Sequence, residues 1–300
     1  MRRLLLVLFC LGSMVPVTGQ DLALPARSGS LKFAVIGDTG TGDRHQRDVA
    51  TQLTAWRERF PFEFVLMAGD NVYGTDNAAA FVRKFEEPYK ALLGAGVKFY
   101  AALGNHDNPN QRFYKPFNMN GERYYSFKPS PTSRARFFAL DSTYMTPAQV
   151  EWLTRELGAS GSDWKIAFFH HPLYSSGDRH GSVLTLREQL EPTFIKHRVN
   201  VVFTGHDHFY ERVKPQSGIA YFVIGNSAKL RRGDNTSELT AKTYDDGYSF
   251  MLVEIEGDNL HFQALNERGV TVDKGVIRKD AATSKVVGTD GATARPPSRR

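Results

Sequence analysis

Five short segments of this 300-residue chain are rich in carboxylate, amide and imidazole side chains. In order they are Asp38-Thr39-Gly40, Gly69-Asp70-Asn71-Val72-Tyr73, Gly104-Asn105-His106-Asp107, Phe169-His170-His171-Pro172 and Gly205-His206-Asp207-His208. Hard oxygen donors and imidazoles contributed by several segments together are suited to holding two adjacent metal ions. Two metal ions in one cleft are a common protein solution for hydrolysing phosphate esters, so the segments predict a dinuclear hydrolytic centre.

Apolar runs that are typical of buried strands precede the first three segments and the last. In the first third of the chain these runs lie at 31–37, 62–69 and 98–103. They alternate with stretches of helical pattern at 44–59 and 78–93. This β-α-β-α-β order predicts parallel strands with right-handed crossovers. Open α/β sheets place their sites at the carboxyl ends of such strands, which is where the polar segments lie.

The rest of the chain predicts more strands and two more helices. We expect strands at 124–127, 135–140, 164–169 and 199–204, and helices at 146–157 and 184–196. Thr146 is a favourable cap for the first of these helices, and Pro147 suits its first position. The strands predicted at 218–224, 249–256 and 260–266 are expected to form a largely antiparallel second sheet.

The chain termini differ in composition from the body of the chain. A basic start, an apolar stretch over 4–15 and small residues near 17–19 predict a secretory signal peptide over 1–19, shorter than a membrane span. We therefore expect a secreted or periplasmic protein without a stable membrane span. Residues 20–30 are expected to be a linker, 31–280 one domain, and the small, polar and basic stretch 281–300 a disordered tail.

Charge and cysteine content limit the classes of function. The net charge of +6 falls to +4 when Arg2 and Arg3 leave with the signal peptide, a mild excess that suits an anionic substrate but not nucleic acid. The only cysteine, Cys10, lies inside that peptide. The mature chain then has no disulfide, and its core and its metals must stabilise it.

The candidate metal ligands share hard or imidazole donor atoms, and they are Asp38, Asp70, Tyr73, Asn105, His170, His206 and His208. Asp70 directly follows a strand, and its carboxylate can bridge two cations. Tyr73 lies three residues further on, so a tight loop can direct both side chains to one ion. A phenolate is a hard anionic donor that favours a trivalent metal such as Fe(III).

In their order and spacing, the five segments resemble the motifs of the calcineurin-type metallophosphoesterases. Tyr73 in the second segment is similar to the tyrosine of their purple acid phosphatase branch, and the lack of an N-terminal β domain resembles the small, tartrate-resistant type. The resemblance covers about 31–278. It implies an α/β fold of the metallophosphoesterase type, a four-layer α/β/β/α sandwich with two mixed β-sheets flanked by helices.

The resemblance also implies how the ligands divide between the metals. Asp38, Tyr73 and His208 would hold the first metal, Asn105, His170 and His206 the second, and Asp70 would bridge the two. The implied metals are Fe(III) and a divalent ion, which is iron, zinc or manganese.

Two further histidines are implied to be catalytic. His106 is similar to a family histidine that contacts the phosphate and protonates the leaving group, and His180 is similar to a histidine on the substrate loop. Asn105, His106 and His180 are thus the implied substrate-binding residues. The small mammalian-type enzymes carry a glutamate before the second histidine, where this chain has Arg179, so the identity of the general acid stays open.

The function expected from these observations is a secreted acid phosphatase. It would hydrolyse phosphate monoesters with a metal-held hydroxide as nucleophile and act on small phosphorylated substrates, with phosphoproteins as a further class. One alternative is a phosphodiesterase of the same superfamily, which Tyr73 disfavours. Another is a non-catalytic protein that binds phosphate or metal, which the complete ligand set disfavours.

Four other features have simpler interpretations. The basic stretch 229–232 is expected to be a solvated loop, with the substrate entrance as the alternative. His171 is expected to point away from its neighbour His170 if the segment is extended. Asn235-Thr236-Ser237 matches a glycosylation acceptor, although such triplets are frequent by chance. Asp76-Asn77 is expected to be a helix cap.

Overall fold

The computed structural model describes residues 21–161, 163–233 and 235–279. The predicted signal peptide over 1–19 and the predicted tail over 281–300 lie outside these residues. Within them, no helix combines the length and the apolar character needed to cross a membrane.

The strands of the described residues form two sheets. In chain order they are β1 (Leu31–Ile36), β2 (Phe64–Met67), β3 (Lys98–Ala101), β4 (Tyr125–Phe127), β5 (Ala135–Ala139), β6 (Trp164–Phe168), β7 (Val201–Thr204), β8 (Tyr210–Val213), β9 (Ala220–Ile224), β10 (Thr240–Tyr244), β11 (Ser249–Glu256), β12 (Asn259–Asn266) and β13 (Thr271–Arg278). The first sheet has the order β13-β12-β11-β1-β2-β3, and the second has the order β10-β8-β9-β7-β6-β5-β4.

Both sheets mix parallel and antiparallel pairs. In the first, β1, β2 and β3 are parallel as predicted, and β11 pairs antiparallel with β1. In the second, β5, β6, β7 and β9 are parallel neighbours. The expected antiparallel sheet of 218–224, 249–256 and 260–266 is therefore wrong, because β9 joins the second sheet while β11 and β12 extend the first. Apolar runs predict strands, but they carry no information on which distant strand is the partner.

The helices flank the sheets, and they are α1 (Arg44–Arg59), α2 (Ala78–Phe81), α3 (Lys90–Gly94), α4 (Pro147–Gly158) and α5 (Leu184–Lys196). Side chains that accept hydrogen bonds from backbone amides begin three of them. Asp43 caps α1, Asn77 caps α2, and Thr146 caps α4. The predicted caps of α2 and α4 are thus present.

The single helix predicted over 78–93 is interrupted. α2 continues into a π-helical turn over Val82–Glu86, and α3 begins only at Lys90. Pro88 explains the break, since it has no amide hydrogen and its ring would clash with the carbonyl four residues earlier. That carbonyl, on Lys84, instead accepts a hydrogen bond from the Gln46 side chain at 2.6 Å.

Aromatic side chains fill the space between the two sheets. Phe33 of β1 stacks on Phe64 of β2 with ring centres 5.2 Å apart, and its ring meets the edge of Phe137 in β5 at 5.3 Å. The next residue, Phe138, points to the other face of its sheet and packs with Leu153 of α4 and Leu190 of α5. The α/β/β/α sandwich with two mixed sheets is thereby confirmed.

The segment 21–30, predicted as a linker, lies along the first sheet. The Ala23 amide donates to Gln263 of β12 at 2.9 Å, and the amides of Ala26 and Arg27 donate to the buried Glu254 carboxylate of β11 at 2.7 Å each. This segment adds hydrogen bonds to the sheet far from the polar strand ends.

Candidate metal centre

Five candidate ligands follow the carboxyl ends of parallel strands drawn from both sheets. Asp38 follows β1, Asp70 follows β2, Asn105 follows β3, His170 follows β6 and His206 follows β7. The two sheets face each other, so these strand ends meet at one edge of the sandwich. Sequence positions that are more than 160 residues apart come into contact there, as when the His206 amide donates to Asp38 Oδ2 at 2.8 Å.

The loops that carry these ligands have unusual backbone geometry. Asp38, Asp70 and His206 adopt left-handed conformations with φ of 55°, 53° and 72°. Such geometry is disfavoured for residues with a Cβ atom and is found often at functional sites. The neighbouring glycines are required by space, because a Cβ atom on Gly104 would overlap the Asp70 carboxylate and one on Gly205 would overlap that of Asp38.

One group of ligand atoms surrounds the Asp38 carboxylate. The Tyr73 hydroxyl lies 3.0 Å from Asp38 Oδ1, and His208 Nε2 lies 3.4 Å from the same oxygen. These are the three residues expected to hold the first metal, and we name them the tyrosine group. The structure places a carboxylate, a phenol and an imidazole nitrogen within reach of one ion.

A second group of ligand atoms surrounds the Asn105 amide oxygen. His170 Nε2 lies 2.9 Å from Asn105 Oδ1, His206 Nδ1 lies 3.0 Å from it, and the two histidine nitrogens are 3.2 Å apart. These are the residues expected to hold the second metal, and we name them the histidine group.

Asp70 lies between the two groups. Its Oδ1 atom is 3.5 Å from His170 Nε2, and one carboxylate oxygen each from Asp38 and Asp70 and a ring nitrogen of His170 lie within 4.8 Å of one another. The position agrees with that of a bridging carboxylate. The assignment of all seven ligands stays a prediction, but the structure does bring every one of them to this place.

The histidine group is built to present lone pairs. His170 Nδ1 lies 3.0 Å from the Ala68 carbonyl, which can only accept, so this nitrogen carries the ring proton and Nε2 has a free lone pair. Burial, and then the electrostatic effect of protonating it beside His170, lower the pKa of His206 to about 2, so that ring is neutral. The three atoms that converge here are Asn105 Oδ1, His170 Nε2 and His206 Nδ1, and at most one of them carries a proton. This arrangement fits a cation.

The acidic residues also call for positive charge. Asp38 is 0% and Asp70 1% exposed, and neither forms an ion pair with a lysine or arginine in the described residues. Burial, and secondly the charge of Asp70, raise the pKa of Asp38 well above its usual value. Buried carboxylates without a cation are costly, so this donor set fits two metal ions.

Tyr73 and His208 differ in what they need in order to bind a metal. Burial, and then the charge of Asp38, raise the pKa of the Tyr73 phenol, so only a strong cation would ionise it. Burial, and then the charge of Arg231, lower the pKa of His208 to about 4, so its ring is neutral and ready to bind. The tyrosine group therefore suits the harder ion of a pair.

The two predicted catalytic histidines lie on the open side of the site. The His106 amide donates to Asp70 Oδ1 at 3.0 Å, and its ring centre is 5.1 Å from that of Tyr73. The His180 ring centre is 4.3 Å from that of His206. Both side chains are exposed next to the ligand atoms, and Asn105 is exposed as well.

His171 does not point away from the site as expected. Its ring centre is 4.4 Å from that of His206, and its Nδ1 is 2.9 Å from the Ser142 hydroxyl. The chain bends at His170 and His171 after β6, so the alternation of an extended segment does not apply. His170, His171 and His206 together could also hold a metal ion.

Two acidic residues inside the motifs have roles that sequence analysis missed. Asp107 accepts hydrogen bonds from the amides of Asn71, Val72 and Gly104 at 2.8–3.0 Å, joining the loops after β2 and β3. Burial, and then the charge of Asp70, raise its pKa to about 7. The sequence shows Asp107 as the last residue of its motif, but it does not show that the partners of this carboxylate are the distant amides of Asn71 and Val72.

Asp207 organises the loop that carries His180. Its Oδ2 atom accepts hydrogen bonds from the Ser175 hydroxyl at 2.6 Å and from the Gly181 amide at 3.1 Å. The alternation of residues 206–208 places it between two ligand histidines, where it is 1% exposed. It thereby couples the position of the loop 175–182 to that of the ligands.

Within the basic stretch 229–232, Lys229 lies beside the site, with its Nζ 4.5 Å from the centre of the Tyr73 ring, whereas Arg232 is exposed to solvent. Asn235 of the glycosylation triplet is 2% exposed, and its amide nitrogen donates to the Arg231 carbonyl at 3.3 Å and to Asp245 at 3.2 Å. In the folded protein its side chain is thus not available as a glycan acceptor.

A family comparison agrees with this geometry. Residues 31–210 match the family described as calcineurin-like phosphoesterase, which is more than half of the chain. The chain belongs to the calcineurin-like phosphoesterase family. The matched region contains all seven candidate ligands and both candidate catalytic histidines.

Individual relatives point to one branch of that family. Purple acid phosphatase 7 of Arabidopsis thaliana is 26% identical over 291 residues, covering 85% of this chain and 88% of the relative. Tartrate-resistant acid phosphatase type 5 of Rattus norvegicus is 23% identical over 259 residues, covering 71% and 79%. The predicted resemblance to purple acid phosphatases is confirmed. The prediction that the chain is an enzyme of the phosphoesterase family is confirmed with it.

Among solved structures, GAP50, the anchor in the inner membrane complex of Plasmodium, is similar with a TM-score of 0.75. The sequence identity is 19%, and the match covers 90% of this chain and 99% of that one. At this identity the likeness concerns the fold alone.

Proposed function

We propose that this protein is a secreted acid phosphatase that hydrolyses phosphate monoesters at a dinuclear centre of Fe(III) and a divalent iron, zinc or manganese ion. The observation that carries the proposal is the pairing of the tyrosine group with the histidine group on either side of Asp70. When bound, the two ions would supply an activated water and neutralise charge that develops on the phosphate.

The chain's own groups would position the substrate and move the proton. Asn105 and His106 stand on the exposed side of the ligand cluster, where a phosphate that enters the site would meet them. His106 or His180 would hold the proton that passes to the leaving alcohol oxygen. The Asp207 carboxylate would keep His180 in place by holding Ser175 and Gly181.

Monoester preference is tested by comparing p-nitrophenyl phosphate with bis(p-nitrophenyl) phosphate on protein loaded with iron or zinc. We expect the monoester to have the higher kcat/KM under mildly acidic conditions. A preference for the diester would instead support the phosphodiesterase. If neither ester turns over with either metal loaded, the protein is a non-catalytic binder.

Secretion rests on residues 1–19 and needs a test of its own. N-terminal sequencing of the exported protein should begin near residue 20. Retention of Arg2 and Arg3 in the mature protein would contradict export by a cleaved signal peptide. The substrates proposed are small phosphorylated molecules, with phosphoproteins as a further class.

A further inference from the structure

One buried lysine contacts the segment that carries Tyr73 and belongs to none of the five motifs. Lys84 is 8% exposed, and it stands in the π-helical turn that interrupts the predicted helix 78–93. The turn is closed by a hydrogen bond from the Glu87 amide to the Val82 carbonyl at 2.9 Å. Lysine is seldom buried unless its ammonium group finds partners, and π-helical turns are frequent at functional sites. The partners of Lys84 therefore indicate what this turn does.

The ammonium group of Lys84 binds two backbone carbonyls in the segment that carries Tyr73. Its Nζ atom donates to the carbonyl of Tyr73 itself and, at 3.4 Å, to that of Thr75. Gly74, which lies between them, has a left-handed backbone with φ of 70°, and both Gly74 and Thr75 are exposed to solvent. Exposed loop segments are more mobile than the elements that they connect. The two hydrogen bonds from Lys84 thus fix the backbone on the carbonyl side of Tyr73.

The aliphatic part of Lys84 packs against the loop that carries Asp38. A Cβ atom on Gly42 would lie 3.0 Å from Lys84 Cγ, so the lysine side chain lies close to the backbone there. Gln46, which is 0% exposed, accepts a hydrogen bond from the Gly42 amide at 2.7 Å and donates one to the Lys84 carbonyl at 2.6 Å. The π-helical turn is thereby joined to the loop after β1, and its lysine extends from there to the loop after β2.

These contacts determine how the phenol of Tyr73 is held beside Asp38. The Tyr73 amide donates to the Gly40 carbonyl at 2.9 Å, and the Tyr73 hydroxyl lies 3.0 Å from Asp38 Oδ1. Gly40 and Asp38 both belong to the loop after β1, against which Lys84 also packs. Because Lys84 holds the carbonyl of the same tyrosine, the backbone of Tyr73 is fixed on both sides of its Cα atom.

We propose that Lys84 is a positioning residue for Tyr73, and that the preference of the tyrosine group for a trivalent ion depends on it. This inference rests on the proposed metal centre. A phenolate is the donor in this group that favours a trivalent ion, whereas a carboxylate and an imidazole also serve divalent ions. If the phenol is no longer held beside Asp38, the group keeps two donors that bind a divalent ion, and it loses its advantage for Fe(III).

The test replaces Lys84 by methionine, which has an unbranched side chain without an ammonium group. We expect Lys84→Met to bind Fe(III), supplied as its nitrilotriacetate complex, about tenfold more weakly than the wild type, because hydrogen bonds from a charged donor have effects of this size. Zn(II) added to the iron-loaded proteins fills the histidine group, and its affinity should change by less than about twofold, as expected for an independent site. Arg83→Met is the matched control, because it removes an exposed positive charge from the same turn.

A double variant separates positioning from a general loss of structure. Tyr73→Phe removes the phenol, so adding Lys84→Met to that protein should lower the Fe(III) affinity no further. An equal effect of Lys84→Met with and without the phenol would overturn the inference, because the lysine would then act on the fold and not through Tyr73. A Lys84→Met protein with the Fe(III) affinity of the wild type would overturn it as well.

Hydrogen exchange of the metal-free protein tests the positioning without any metal. The Tyr73 amide, which donates to the Gly40 carbonyl, should exchange about tenfold faster in Lys84→Met than in the wild type and in Arg83→Met. If the wild type binds neither metal but this exchange becomes faster, Lys84 does position Tyr73 and the proposed metal centre fails. An unchanged exchange rate in Lys84→Met would overturn the inference, whatever the metal affinities are.

Discussion

Asp70 is the residue on which both halves of the site converge. Its carboxylate accepts a hydrogen bond from the His106 amide and lies 3.5 Å from His170, while the Asp38 carboxylate is close enough to share a metal ion with it. Asp70→Asn should therefore lose metal from both positions and most of the activity, more than any other single ligand change. Elemental analysis of the purified variant checks this, and a variant that kept two metals per chain with near-normal turnover would contradict the bridging role.

The phenol of Tyr73 provides an optical signal. With its hydroxyl 3.0 Å from Asp38, it is placed to bind the same ion, and a phenolate on Fe(III) gives a visible charge-transfer band, as the family resemblance implies. Iron-loaded wild type should be purple or pink, and Tyr73→Phe should lose the band while its iron content falls less. A colourless iron-loaded wild type would remove Tyr73 from the ligand set.

His106 and His180 can be distinguished by the leaving group of the substrate. His106→Ala should keep its metals and lose turnover by roughly 10²–10⁴-fold, with the larger loss on alkyl phosphates and the smaller on p-nitrophenyl phosphate, whose leaving group needs little protonation. His180→Ala should lose less if Arg179 has weakened its role as an acid. Equal losses on both kinds of ester in both variants would show that neither histidine donates the proton.

The loop 175–182 is an element whose position is set by two buried acids. Asp207 accepts hydrogen bonds from Ser175 and Gly181, and Glu211 of β8 accepts them from the amide and the hydroxyl of Ser176 at 2.8 Å each. The position of this loop therefore depends on hydrogen bonds to Asp207 and Glu211, which both follow β7 in the chain. These hydrogen bonds place the exposed His180 with its ring centre 4.3 Å from that of His206.

A single methyl group tests the importance of this loop. A Cβ atom on Gly177 would lie 2.6 Å from the Asp207 carboxylate, so Gly177→Ala must displace the loop. We expect kcat/KM to fall by about 10- to 100-fold with full metal content, because small misplacements of positioning groups have effects of this size. Gly94→Ala is the control, since its Cβ would meet nothing within 4 Å. Unchanged kinetics of Gly177→Ala would show that the loop does not position the reaction.

Considered as a whole, the molecule brings two sheets together at one site. The candidate ligands follow β1, β2 and β3 of the first sheet and β6 and β7 of the second, so bound ions would cross-link the sandwich at its ligand-bearing edge. They would also compensate the buried charges of Asp38 and Asp70. Metal binding to the folded state alone should therefore stabilise the whole fold.

Removal of the metals should accordingly lower the melting temperature. At a metal concentration about 1,000 times the dissociation constant, the stabilisation is about 4 kcal/mol, which corresponds to roughly 8–16 °C for a domain of this size. Differential scanning calorimetry with and without a chelator measures the shift. The Asp70→Asn protein is the control and should respond little to the chelator, whereas an equal shift in both proteins would mean that the stabilising metals bind elsewhere.

The sequence by itself determined the local features of this protein. An apolar run followed by a glycine and a donor residue is a short-range pattern. The strands before Asp38, Asp70 and Asn105, their parallel order and the meeting of the seven candidate ligands at the strand ends were therefore predictable. The cap at Thr146 was predictable for the same reason.

Tertiary structure decided whatever depends on distant partners. It paired β11 with β1, while β9 pairs with β7 in the other sheet. A run of apolar residues predicts a strand, but it does not specify which distant strand will be its hydrogen-bonded partner. It turned His171 toward His206, and it gave Asp107 and Asp207 their positioning roles. It also placed Lys229 over Tyr73, more than 150 residues away in the chain. The sequence shows that Lys229 is charged, but its contact partner is determined only when folding brings the two segments together.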